Sequence, residues 1–178
     1  MATVLIVVAL LLLTMPMVLA SELIPISGKW SGGIPTFSDV KKAGTNGFIT
    51  MHQTGVFFEG DIDGTFVMDM ERIHHYNDKE TVKALPESAP FISWLQIPAE
   101  FNAKAYRTVE GTVLGYTGAL FMRLECKGTL PAAPPHALEG TWVIISGTGE
   151  LANLHGQGTW WNEGSGEFGY EGQVHFDP

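Results

Sequence analysis

Apolar and polar residues alternate along three separate stretches of the chain, and that alternation is the first thing to read. Phe66, Met68 and Met70 alternate with Val67, Asp69 and Glu71. Leu120, Met122, Leu124 and Cys126 alternate with Phe121, Arg123 and Glu125, and Phe168, Tyr170, Gly172, Val174 and Phe176 alternate with Gly169, Glu171, Gln173 and His175. A period of two puts one set on each face of a β-strand, so each stretch predicts a strand with one buried face. Similar though shorter patterns predict strands over Ile26–Gly32, Phe48–His52, Phe57–Ile62, Phe101–Thr112 and Thr141–Ile145, and a Trp- and Thr-rich strand after Gly156. Trp30 is a candidate core anchor in the first of these.

The intervening segments are read from their turn residues. SGGIPTFSDVKKAGTNG, punctuated by Gly and Pro, predicts a polar connection. Thr54-Gly55 predicts a break between two strands, and Asp63-Gly64 a tight hairpin, because Gly tolerates the positive φ that such a turn needs. Residues 76–98 carry three prolines and no sustained period, which predicts a long loop with a helical turn around Thr81–Leu85. Its tip, Phe91 to Leu95, is apolar, so the loop either covers an open end of the core or gates a ligand site. Leu130 to Pro135 reads as a stiff connector. Eight or so closely spaced strands predict a closed antiparallel up-and-down barrel, with a β-sandwich as the alternative.

Composition adds an address and removes some partners. Residues 2–20 are apolar and uncharged and end in Val18-Leu19-Ala20, which predicts a signal peptide over 1–20 cleaved before Ser21. Secreted or periplasmic protein is the expected result, with an uncleaved N-terminal anchor as the alternative. Residues 21–178 then form one domain. Nineteen Asp and Glu against 10 Lys and Arg give a formal net charge of -9, with no basic cluster. That balance excludes nucleic acid and argues against stable membrane association once the signal is removed. The single cysteine, Cys126, excludes an intrachain disulfide and is a candidate small core residue.

The passage LEGTWVIISGTGELANLHGQGTWW joins two of the predicted strands through clustered glycines. Gly147-Thr148-Gly149-Glu150-Leu151-Ala152-Asn153-Leu154-His155-Gly156 resembles the strand join of the allene-oxide-cyclase-like and dirigent-like barrels. It is closest to an uncharacterised bacterial domain-of-unknown-function group within them. Val109-Glu110-Gly111-Thr112 and Gly118-Ala119-Leu120-Phe121 resemble the preceding strand pair. The resemblance implies a closed barrel, with Gly147, Gly149 and Gly156 as structural turn residues. Cyclases of this group are thought to hold a hydrophobic epoxide in the barrel beside a buried carboxylate. Their catalytic residues do not map onto this chain.

Candidate chemistry is sparse. Glu125, with Arg123 on the same strand face, would serve as acid or base if that face pointed inward, and would be a surface ion pair if it pointed outward. His74-His75 point to opposite faces of one strand and cannot chelate one ion together, and no ligand spacing predicts a metal. Glu59, Asp61 and Asp63 form an acidic row that reads as solvated surface. The glycine cluster is no phosphate loop, since neither a basic residue nor a helix follows it, and no cofactor is predicted. The expected function is a barrel binding a small apolar molecule, with Phe91, Trp94, Leu120 and Met122 as candidate contacts. A cyclase or isomerase is one alternative; a filled structural or oligomerisation barrel is the other, and homo-oligomers stay open.

Overall fold

A computed structural model describes residues 21–86, 89, 91–130, 138–164 and 166–178. The expected signal peptide and most of the Leu130–Pro135 connector lie outside these residues, as does the side chain of Phe91. The strands are β1 (Ile24–Gly32), β2 (Thr36–Ala43), β3 (Asn46–Gly60), β4 (Ile62–Tyr76), β5 (Ala99–Val113), β6 (Tyr116–Leu130), β7 (Leu138–Gly147), β8 (Leu154–Gly164) and β9 (Glu167–Phe176). Strands β3 to β9 pair each with the next, and β1 closes the circuit by pairing antiparallel with both β9 and β3. This is a closed eight-stranded antiparallel barrel, not a sandwich, with β2 as an extra strand beside Asn46–His52 of β3.

The predicted alternation sets the barrel wall. Phe66, Met68 and Met70, with Leu120, Met122 and Leu124 and with Tyr170 and Val174, are buried in one core with Trp30. Trp30 lies flat on Phe168, ring centroids 3.9 Å apart at 8°. Three local expectations are corrected. Thr54-Gly55 is not a break: Gly55 pairs with Phe66 inside one continuous β3, and a Cβ there would sit 2.3 Å from the Phe66 ring. The segment after Gly32 is a strand, β2, whose apolar residues Phe37 and Val40 are three apart because a bulge falls between Phe37 and Asp39 and conceals the period.

The third correction moves the Asp63-Gly64 hairpin to Gly60–Asp61, so that Glu59, Asp61 and Asp63 straddle a turn and share no strand face. Gly60 takes φ 105 with its α-carbon against the Ser27 carbonyl, and the Asp61 carboxylate accepts from Ser27 N at 2.7 Å. Tertiary contacts with β1 fix the turn there, and Gly64 pairs with Gly111 within the sheet.

Within the segment read as a loop, Lys79–Ala84 form a short helix, α1, and Phe91–Leu95 form a second, α2. Asp78 caps α1 by accepting from Thr81 N at 3.0 Å. At the other end the Lys42 ammonium of β2 donates to the carbonyls of Val82, Lys83 and Leu85 at 2.9, 3.0 and 3.2 Å, so all its protons are spent on the free carbonyls of the last turn. Trp94 and Val82, both 0% exposed, pack with Tyr76, Ile97 and Ala99 as a second core. The helices thus cover the ends of β4 and β5.

Candidate functional site

The site begins with the alternation of β5. Ala99, Phe101, Ala103, Ala105, Val109 and Val113 face inward, and the same count places Arg107 inward too. Its guanidinium lies 4.1 Å from the ring centroid of Trp30 and 4.1 Å from that of Phe66, with Phe57 at 5.6 Å. Trp30 and Phe66 meet edge to face, at 86°. Arg107 is 2% exposed; Nη2 donates to Met68 Sδ at 3.6 Å, and Nε has no partner. Burial pulls its pKa down to about 9. Each cation–π contact in a desolvated site contributes about 2 kcal/mol, while desolvating an unpaired ion costs several kcal/mol even after relaxation. The rings therefore offset part of the cost and leave the charge without a counter-ion.

Arg107 and Trp30 border a void of about 10 Å³, together with Phe57, Met122, Trp142, Trp160 and Tyr170. That is room for one water molecule. Trp160 contributes a second buried N–H without a partner, and the Tyr170 hydroxyl accepts from Ile62 N at 2.9 Å. Burial pushes the Tyr170 phenol up to about 12.

One end of the interior repeats the theme. Arg72, half-buried, donates from Nε to Met70 Sδ at 3.1 Å and lies 5.0 Å from the Phe101 ring, and burial lowers its pKa. His74 is 0% exposed, with the Tyr76 hydroxyl 3.3 Å from Nδ1 and no partner at Nε2. Burial, then the charge of Arg72, then that of His75, lower its pKa to about 4. Burial pushes the Cys126 thiol up to about 11, the reverse of what a reactive thiolate needs. Among the described residues no Asp or Glu is buried, so the interior carries positive groups and no carboxylate.

The other sequence candidates are distributed as follows. Leu120 and Met122 line the interior. Trp94 belongs to the second core under α1 and α2, so the two halves of the expected contact set are not brought together. Arg123 and Glu125 face outward with side chains 44% and 58% exposed, Nε 3.5 Å from Oε1. Glu125 borders an open depression of about 1280 Å³ on the outer face of the sheet, shared with Phe48, Ile73, Lys104, Lys127 and Trp161. It is far larger than the interior void and open, and exposed Glu71, Lys104, Lys127 and Glu139 are among its walls. His74 faces inward and His75 outward, and no cluster of metal-binding groups occurs among the described residues.

Gly149 takes φ 63 at the start of a 3-10 turn (Gly149–Leu151). Gly147 and Gly156 serve close approach instead, a Cβ on them meeting Leu151 O at 2.0 Å and Val174 Cγ1 at 2.6 Å.

No protein-family profile matches the chain, and no curated protein matches it in sequence. Among solved structures it is similar to a protein of unknown function from the DUF3224 family of Shewanella oneidensis MR-1. The TM-score is 0.61 at 16% identity, over 88% of this chain and 99% of that one. What this likeness shows is the fold. The chain is a closed barrel, and the likeness does not single out the allene-oxide-cyclase-like branch.

Proposed function

We propose that this is an exported binding barrel that takes a small apolar molecule into its interior. The observation carrying this reading is the aromatic box of Trp30, Phe57, Trp142, Trp160 and Tyr170 around a residual void. The void admits one water, so a ligand enters by displacing unbranched side chains, those of Met68, Met122 and Arg107, which have low-energy alternatives. Export rests on the uncharged apolar run 2–20 and its Val18-Leu19-Ala20 end. The narrower kinship with allene oxide cyclases rests on Gly147 to Gly156. A cyclase or isomerase would have to work through Arg107 and Tyr170, because Glu125 lies outside the barrel.

Titration with hexanol, followed by Trp fluorescence and thermal unfolding, tests the binding reading. A saturable spectral shift is expected, with stabilisation of about 2.7 kcal/mol at a hundredfold excess over Kd. If neither signal moves, the second reading, a filled structural barrel, takes its place; the small size of the void favours it.

A further inference from the structure

We propose that Arg107 is an anion-binding group inside the barrel, and that the apolar ligand carries an acidic head, of the carboxylate class, that pairs with it. The proposal deepens the binding-barrel reading and rests on it. Three observations converge. Arg107 is a buried cation whose contacts are three aromatic rings and a thioether, and whose Nε–H donates to nothing. The second inward arginine, Arg72, has the same kind of surroundings, a ring and a methionine sulfur. The chain has 19 acidic residues, yet none of those described is buried, so none of them accompanies Arg107 in the core.

A neutral hydrogen-bond acceptor would satisfy Nε–H and leave the charge unbalanced in a low-dielectric space. A carboxylate would do both, since its two oxygens match the guanidinium fork. The surrounding rings then accept the ligand's hydrocarbon. A free inorganic anion offers the same charge without the tail.

The test uses the mature chain with hexanoate, hexanol and chloride, the last exchanged against gluconate at constant ionic strength. Hexanoate is expected to bind at least tenfold more tightly than hexanol, and Arg107→Met should erase that preference while hexanol still binds. Arg107→Lys, which keeps the charge and loses the fork, should retain part of the preference, and it serves if Arg107→Met fails to fold. Chloride raising the melting temperature of the wild type, but not of Arg107→Met, would support the anion site and identify a free ion as an occupant. Equal hexanoate and hexanol affinities with no chloride effect would overturn the proposal and leave the binding barrel standing. Loss of hexanol binding in the wild type would instead count against the barrel reading itself.

Discussion

His74 shows what burying one titratable group does to this barrel. Its folded pKa of about 4 lies below the ordinary 6.5, so between these values the unfolded chain takes up a proton that the folded chain refuses. Stability contributed by neutral His74 is present above pH 6.5 and is lost as pH falls toward 4, by about 3 kcal/mol. Denaturant titrations of wild type and His74→Phe from neutral to acid pH should therefore diverge over that window, the variant showing the shallower fall. Parallel curves would show that His74 does not set the acid limb. The glycines make a second prediction at this scale. Gly149→Ala should cost on the order of 1 kcal/mol, because φ 63 is strained for alanine while the nearest atom, Thr117 O, is 2.9 Å from the new Cβ. Gly158→Ala should cost more, since its Cβ would lie 2.0 Å from Glu171 O and 2.5 Å from the Trp142 ring. Thermal melts of the two variants rank them.

At the scale of elements, the two short helices are held by a strand rather than by their own length. An isolated helix as short as α1 does not persist in water, so its order comes from packing and caps. Lys42→Met keeps the aliphatic stem and removes three charge-assisted hydrogen bonds to α1. It should cost about 2 kcal/mol and speed hydrogen exchange through Val82 to Leu85, with the barrel amides unchanged. Trp94→Ala should cost about 3–5 kcal/mol and loosen the same helices. Uniform exchange changes across the barrel in either variant would mean that cap and barrel unfold as one unit.

For the whole molecule, charge is sorted by layer: the outer surface is acidic, with a net charge of -9, while Arg72 and Arg107 point into the barrel. An anionic ligand must approach against that field and gains its partner only inside. Association of hexanoate should therefore accelerate as ionic strength rises, because salt screens the outer carboxylates, whereas hexanol association should stay flat. Stopped-flow Trp fluorescence checks both slopes. Export makes a further prediction at this scale: mass spectrometry of protein from its own host should find Ser21 as the first residue, and an intact Met1 in a cytosolic fraction would contradict it.

The sequence by itself determined the strands whose period of two is unbroken and the inward set on β4, β6 and β9, whereas their closure into a barrel and not a sandwich was decided by the pairing of β1 with both β9 and β3. On β5 the sequence predicts a strand over Phe101–Thr112 without assigning it a buried face, and the folded strand turns Arg107 inward with Phe101 and Val109. What surrounds it comes from β1, β3 and β4, and only closure of the barrel brings Trp30, Phe57 and Phe66 onto one guanidinium. The β5–β6 turn follows the strand predicted over Phe101–Thr112, and there Leu114 takes φ 54 beside Gly115 at φ 85, the Leu114 side chain packed against the core. Turn position was likewise decided by tertiary structure, since Gly60–Asp61 is selected over Asp63-Gly64 by its contacts with Ser27. Local pattern fixes which face of a strand is buried, because that depends on residues two apart. Which groups meet inside depends on residues far apart in sequence, and their pairing energies exist only once the barrel closes.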